Sequence, residues 1–327
     1  MPTVVVASAP PKAQVQQIRD TLAGQAEVVF LAEVDEGARA DALRGATAVI
    51  TFNPVRELRD AEWPLLAHAK LVQFTTAGVD FIPFDKFPEG MTAAANRGGY
   101  AEPMAEHALA MALAAAKRLL PEHHELQAGR FNQFALNRSL LGATCGIVGF
   151  GGIGIAVARL FRRLDMRIVA MNRRGQSEEP VDFLGGPEAL EQVLREADVL
   201  VLAPPLTALT ERMIGARELG WMKPDAILIN LARGEIIDED ALYAHLLANP
   251  GFQACLDAWW IEPVRHGRFA MGHPFLDLPN VLGSPHNSAS VPTGREVAMR
   301  RVLENVQRVL RGEPPRHLLG PDDRPPA

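Results

Sequence analysis

Three short stretches of this chain carry residue types that can bind an anion and move a proton. Ile229–Glu235 (INLARGE) holds Arg233, Leu256–Pro263 (LDAWWIEP) holds Glu262, and Gly283–Asn287 (GSPHN) holds His286. Arginine offers a planar pair of donors that suits a carboxylate. Histidine titrates near neutral pH, so it can give and take a proton under working conditions. A carboxylate beside an imidazole favours its charged form and sets its tautomer. Taken singly, each residue has an ordinary alternative: Arg233 a surface or capping arginine, Glu262 a solvated loop acid, His286 a hydrogen-bonded turn residue. With nine histidines in the chain, one alone means little. Their order and spacing behind a glycine-rich turn are what join them.

That turn lies in Cys145–Arg174. A short apolar run ends in Gly149-Phe150-Gly151-Gly152-Ile153-Gly154, which fits G-x-G-x-x-G. An amphipathic helix pattern follows, with Val157, Leu160, Phe161 and Leu164 on one face, and then a second apolar run, Arg167 to Met171. Strand, glycine turn, helix and strand in that order predict a dinucleotide site, with Gly149, Gly151, Gly152, Ile153 and Gly154 around a pyrophosphate at the helix N-terminus. An acid usually follows some 20 residues on to hold the ribose 2′-hydroxyl. Asn172, Arg173 and Arg174 stand there instead. Guanidinium groups pair with a 2′-phosphate, so NADP(H) is favoured and NAD(H) stays possible. In the alternative, the arginines form a solvated turn and Asn172 alone meets the ribose. With a dinucleotide, the trio has a joint reading: Arg233 binds and polarises a small 2-keto acid, His286 protonates its carbonyl oxygen, and Glu262 supports His286.

The elements that must carry these residues follow from periodicity. Val4–Ala7, Val28–Leu31, Ala48–Thr51 and Leu71–Phe74 read as strands, and Lys12–Leu22, Ala38–Leu43 and Trp63–Ala69 as helices. Ala101–Leu120 reads as one long helix buried nearly all round, suited to a domain or subunit junction. Then come six strands: Cys145–Phe150, Arg167–Met171, Asp198–Ala203, Ala226–Leu231, Ala254–Ala258 and Asn280–Ser284. Helices are expected at Pro187–Glu196, Thr210–Met222 and Glu239–Ala248, the last capped by Asp238. Six strands alternating with helices predict a doubly wound parallel sheet in the order 3-2-1-4-5-6. Gly294–Arg311 reads as a last helix returning to the first domain, and the tail Pro321–Ala327 as disordered.

A chain of 327 residues with 48% hydrophobic content fits a two-domain globular protein. A net charge of −6 gives no reason to expect nucleic acid or an anionic membrane as partner. Cys145 and Cys255 both sit in apolar runs and read as buried core residues. The N-terminus does not read as a signal peptide, no apolar run is long enough for a membrane span, and no metal site is expected. A reducing, cytoplasmic location is the expectation.

Taken together, the motifs resemble the D-isomer-specific 2-hydroxyacid dehydrogenases, in the manner of glyoxylate/hydroxypyruvate reductases. The resemblance covers nearly the whole chain and rests on Val148–Gly154, INLARGEIID at Ile229–Asp238, Leu256–Pro263 and Ser284–His286. Pro205-Leu206-Thr207 with Thr210, and Met104–His107, add to it. It implies an α/β fold of two Rossmann-like or flavodoxin-like domains, each a doubly wound parallel sheet, with an active-site cleft between them. Residues 1–97 plus 288–327 would form a discontinuous substrate-binding domain and residues 98–287 the dinucleotide-binding domain. A homodimer through the latter is implied, with cleft closure during turnover. Ala77, Gly78 and Val79 would hold the substrate carboxylate by backbone N–H groups, Pro205 would line the cofactor site, and Asp257 would bond the nicotinamide carboxamide. Trp259, Trp260, Asn287 and a long loop at Arg265–Gly272 depart from the family pattern and bear on the choice of substrate. Glu262 separates the chain from the formate dehydrogenases of the family, which carry Gln there. A dinucleotide-sensing binding protein of the same fold, corepressor-like, is the alternative to an NAD(P)-dependent oxidoreductase.

Overall fold

A computed structural model describes residues 1–326. The chain divides into two compact units, the first made of residues 1–100 with the C-terminal stretch from Pro292, the second of Ala101–Val291.

The first unit is a five-stranded sheet of β1 (Thr3–Val6), β2 (Glu27–Phe30), β3 (Ala46–Thr51), β4 (Leu71–Phe74) and β5 (Ala93–Ala94), all parallel, in the order β2-β1-β3-β4-β5. This is the 2-1-3-4-5 order of flavodoxin-like folds. Parallel strands are covered on both faces, which is why these read as apolar runs rather than alternations. Val5, Val49 and Val72 face one layer with Trp63 and Leu66, whereas Val4, Val6, Ala48 and Ile50 face the other. On that second face lie Ile18 and Leu22 of the helix Lys12–Leu22, with Val302, Leu303 and Val306 of the helix Pro292–Leu310. β5 has two residues, too few for a periodic signal. The helix expected at Trp63–Ala69 is a 3₁₀ segment, Asp60–His68, because Pro64 inside it removes an α-helical donor. The tail expected to be disordered contains a turn, Pro321–Asp323, in which Asp323 is buried, accepts from the Gly320 N–H at 2.8 Å and pairs with Arg97. Ala327 lies outside the described residues.

The second unit is a seven-stranded parallel sheet: β6 (Thr144–Val148), β7 (Arg167–Met171), β8 (Phe183–Gly185), β9 (Val199–Leu202), β10 (Ile227–Asn230), β11 (Gln253–Leu256) and β12 (Val281–Gly283). The order is β12-β11-β10-β9-β6-β7-β8. The expected six strands are all present, but the outer place next to β7 belongs to the unforeseen β8. β9, read as the third strand, pairs with β6 instead. Helices cover the sheet at Gly152–Phe161, Leu190–Glu196, Ala216–Trp221 and Glu239–Ala248. Asp238 caps the last by accepting from the Ala241 N–H at 2.9 Å. The expected helix from Thr210 starts only at Ala216, because Thr207 and Thr210 hydroxyls bond backbone groups of a preceding turn.

The single helix expected over Ala101–Leu120 is two, Ala101–Ala116 and Leu119–Gln127, broken where Arg118 takes a left-handed φ of 52°. Nor is the first one buried all round. Ala101, Met104, Ala105, Ala108, Met111 and Ala112 form a buried stripe at helical spacing, while Glu102, Glu106 and Ala110 are exposed. Cys145 and Cys255 are fully buried thiols; burial pushes Cys255 up to about 12 and Cys145 further still, so neither is a reactive thiolate. Among the described residues no helix is long and apolar enough to cross a membrane.

Candidate active site

The glycine turn follows β6 directly, and its three key glycines are there for three different reasons. Gly149 has φ +93°, and a Cβ on it would lie 2.5 Å from the Pro204 nitrogen. A Cβ on Gly154 would lie 2.6 Å from the Gly149 carbonyl oxygen, so the helix could not approach the strand. A Cβ on Gly151 would meet nothing within 4 Å, so this position borders open space. The helix Gly152–Phe161 opens at that space with its dipole and its first N–H groups. A tight turn, an open ligand side and a close-packed helix start form the cradle a pyrophosphate needs, so the residues present fit a dinucleotide. Pro205 is exposed just beyond the end of β9, the strand beside β6, and its carbonyl accepts from the Thr210 hydroxyl at 2.7 Å.

Asn172 follows β7, and its amide is committed to its own turn. Nδ2 donates to the carbonyls of Phe150 (3.2 Å) and Gln176 (2.9 Å), and Oδ1 accepts from the Arg174 N–H at 3.0 Å. Asn172 therefore ties the tip of β7 to the glycine turn, and Arg173 and Arg174 are left exposed at that tip.

The trio assembles at the C-terminal ends of β10, β11 and β12, the edge where open α/β sheets bind ligands. Behind Arg233, the buried Asn230 closes the backbone: its Oδ1 accepts from Ala232 N–H at 3.0 Å and its Nδ2 donates to the Arg233 carbonyl at 2.8 Å. Glu262 is 8% exposed. One carboxylate oxygen accepts from the Trp259 N–H at 2.8 Å and the other lies 2.7 Å from His286 Nδ1. Burial pushes the Glu262 carboxyl up, but the His286 hydrogen bond and charge, the Trp259 N–H and the Arg233 charge outweigh it. The group is held below the usual carboxylate range. An ionised carboxylate only accepts, so His286 Nδ1 carries a hydrogen and Nε2 is the nitrogen left for proton exchange.

His286 sits at φ +51°, a left-handed conformation uncommon outside glycine. The loop is held there by Asp257, which is fully buried. Asp257 Oδ1 accepts from the Ser284 hydroxyl (2.5 Å) and the Asn287 N–H (3.1 Å), and Oδ2 from the Ser288 N–H (3.2 Å). With no exposed surface and both oxygens engaged, Asp257 could meet a carboxamide directly only if the loop released one of these bonds. Asn287, noted in the sequence as a departure, takes part through its backbone.

The tryptophans have a different place from the one their bulk implies. Trp259 and Trp260 are 4% and 9% exposed. Trp259 Nε1 donates to the Ser284 carbonyl and Trp260 Nε1 to the Ile237 carbonyl, both at 2.8 Å. The Trp259 indole lies against Gly283, and Gly234 packs so closely that a Cβ on it would be 2.3 Å from the Trp259 carbonyl carbon. The pair thus fastens together the Arg233, Glu262 and His286 segments. Sequence reasoning missed this; the signal was the glycine at each contact, Gly234 beside Arg233 and Gly283 two residues before Pro285. The Arg265–Gly272 loop is pinned rather than loose. Ala270 bridges to Ile261, Gly272 N–H donates to Glu239 at 2.7 Å, and Arg265 pairs with Glu235 at 2.5 Å. Ala77, Gly78 and Val79 belong to the first unit, in the loop after β4, where Thr76 accepts from the Asn96 N–H at 2.8 Å.

A doubly wound sheet with a glycine cradle at the end of β6 and an Arg–Glu–His set on the ends of β10 to β12 defines a dinucleotide-binding α/β protein. Residues 109–288 match the NAD-binding domain of the D-isomer specific 2-hydroxyacid dehydrogenases, and the chain belongs to that family. It is 34% identical over 223 residues to a glyoxylate reductase of Thermococcus gammatolerans, covering 66% of this chain and 65% of the relative. Thus the match spans just under two thirds of that relative's length. It is 31% identical over 246 residues to a hydroxypyruvate reductase of Thermotoga maritima, covering 74% of this chain and 77% of the relative. Among solved structures, a D-isomer specific 2-hydroxyacid dehydrogenase from Xanthobacter autotrophicus Py2 in complex with NADPH and MES is 25% identical. It has a TM-score of 0.81 and 98% of both chains covered.

Gly234→Ala tests the close packing behind the trio. The new methyl would press on backbone, which cannot yield as a side chain does, so a loss of about 1–3 kcal/mol is expected. Arg233 should be displaced with it. Thermal unfolding and kcat/KM of the variant check this; wild-type values for both would show that the contact is not needed.

Proposed function

We propose that the protein is an NADP(H)-dependent reductase of small 2-keto acids of the glyoxylate or hydroxypyruvate type. The observation that carries the reading is the 2.7 Å contact between buried Glu262 and His286 on the strand edge that also bears Arg233. A nicotinamide dinucleotide, when bound at the glycine cradle, supplies the hydride for the carbonyl carbon. Arg233 pairs with the substrate carboxylate, and its fork polarises the neighbouring carbonyl. His286 gives a proton from Nε2 to the carbonyl oxygen as that oxygen gains charge. Glu262 supplies the countercharge for the imidazolium and fixes the ring. Within the first unit, the loop of Ala77, Gly78 and Val79 after β4 is by itself a candidate carboxylate-binding loop through its backbone N–H groups. The named relatives reduce glyoxylate or hydroxypyruvate, which supports the substrate class.

For the cofactor, support comes from the tip of β7. Asn172 is occupied by its turn, and two exposed guanidinium groups follow it. The relative from Xanthobacter autotrophicus holds NADPH. Replacing Arg173 and Arg174 with Ala should weaken NADPH binding by roughly 1.5–3 kcal/mol for each charge-assisted hydrogen bond lost. NADH binding should change little. Fluorescence titration with both cofactors checks it, and equal losses would overturn the NADP assignment.

The assembly we propose is a homodimer formed by the second unit. Leu119, Leu126, Phe131, Phe134, Leu136 and Leu141 are all exposed within one short stretch, with Phe131, Phe134 and Leu136 at 77%, 82% and 92%. So dense an apolar surface marks an interaction site. Sedimentation should give twice the chain mass, and Phe134→Asp with Leu136→Asp should halve it; a monomer in the wild type would refute the assembly.

Turnover of glyoxylate with NADPH separates the enzyme from a dinucleotide sensor. His286→Ala should lower the rate by about 10²–10⁴-fold, the usual scale of general acid catalysis. NADPH binding should persist. Glu262→Gln removes the countercharge, so the alkaline limb of kcat/KM for reduction should move to lower pH. An active His286→Ala would remove the mechanism, and an unmoved limb would remove Glu262 from it.

A further inference from the structure

The loop that carries His286 is tied to a residue outside the trio. His107 projects from the helix Ala101–Ala116, and its Nε2 lies 3.0 Å from the Ser284 hydroxyl. That hydroxyl lies 2.5 Å from Asp257 Oδ1, and His107 Nε2 itself is 3.8 Å from the same oxygen. We infer that His107 is a positioning residue for the reaction: its Nε2–H closes a His107–Ser284–Asp257 chain that holds His286 in its left-handed backbone.

Hydrogen bookkeeping fixes the direction of the chain. Asp257 also accepts the Asn287 and Ser288 N–H groups, so both of its oxygens serve as acceptors. Ser284 has a single hydrogen, and the 2.5 Å contact with a carboxylate requires it to point at Asp257. The hydroxyl is then an acceptor towards His107, so His107 Nε2 must carry a hydrogen. Without that donor, the Ser284 hydroxyl can rotate and its hold on Asp257 weakens. Asp257 would then keep only its two backbone contacts while opposing the cost of φ +51° at His286. The helix is a firm base for this. It is buried along one stripe, and the Met111 carbonyl lies 3.8 Å from Cys255 Sγ of β11, the strand that leads into Asp257.

The inference rests on the reading of His286 as the proton donor, and the experiment separates the two. His107→Leu removes the donor, His107→Gln restores an N–H at similar reach, and Ser284→Ala removes the link. Steady-state kinetics with glyoxylate and NADPH, NADPH titration and thermal unfolding are measured for each, with His286→Ala as the control. The expected result is a kcat lowered roughly ten- to a hundredfold in His107→Leu, the scale of a small misplacement of a reacting group. KM, NADPH affinity and unfolding temperature should stay near wild type. His107→Gln should recover most of the kcat. The double variant His107→Leu with Ser284→Ala should be no slower than the slower single one, because the two act in series. Wild-type kcat in His107→Leu, or a Gln variant as slow as Leu, overturns the inference. So does a joint loss of kcat, cofactor affinity and stability, which would mark a packing role. Should His107→Leu fail to fold, Ser284→Ala decides alone, with unchanged kcat overturning the chain. An active His286→Ala sinks the underlying mechanism instead, whatever the His107 variants do.

Discussion

A histidine held in left-handed backbone is the constraint on which the second unit's functional edge depends. The conformation costs about 1–3 kcal/mol and persists only where the surroundings over-determine it. Here they do. A buried carboxylate, Asp257, collects three hydrogens from the loop on either side of His286. Hydrogen bonds to a charged group contribute about 1.5–3 kcal/mol each, so together they exceed the strain. The strained backbone turns the imidazole back towards Glu262 on the neighbouring segment. Direction and tautomer at His286 thus come from two acids, Asp257 acting on the main chain and Glu262 on the ring.

Parallel pairing explains how three residues from distant parts of the sequence meet. β10, β11 and β12 run side by side in one direction, so whatever follows each strand arrives at the same edge. Loops at that edge would ordinarily be the least ordered part of the unit. Trp259 and Trp260 prevent this by filling the space beneath them and spending both indole N–H groups on backbone carbonyls of the flanking segments. Such contacts need close approach, and the glycines at 234 and 283 allow it. The result is a set of loops packed like a core.

Much of this was legible in the sequence, because the signals were local. The glycine turn, its helix and the strands on either side announce themselves through spacing, and the trio through order. Helices with a cap or a clear apolar face, Lys12–Leu22 and Glu239–Ala248, fall where periodicity places them. What stayed hidden depends on tertiary contacts. β8 has three residues and becomes a strand only by pairing with β7. The break at Arg118 follows an alanine- and leucine-rich run that any propensity scale would continue. Trp259 and Trp260 stand out in the sequence only as a departure bearing on the substrate, since nothing local tells a buried indole from a lining one. That the Asn172 amide closes its own turn is likewise a tertiary fact that its place after β7 does not announce.

The path of the chain has a consequence for how the protein comes into being. The second unit is one uninterrupted stretch, whereas the first needs residues from both ends of the sequence. One face of its sheet is sealed by Val302, Leu303 and Val306, and its edge strand is bridged at Ala94 by Leu318. During synthesis residues 1–100 emerge with that face bare and stay so until the helix Pro292–Leu310 is made. The cofactor cradle can therefore be complete while the other unit still waits for its covering helix. Until then the newborn chain exposes apolar β-sheet, and such surfaces are open to wrong partners. Order of assembly runs opposite to order of sequence: the unit that begins first is finished last.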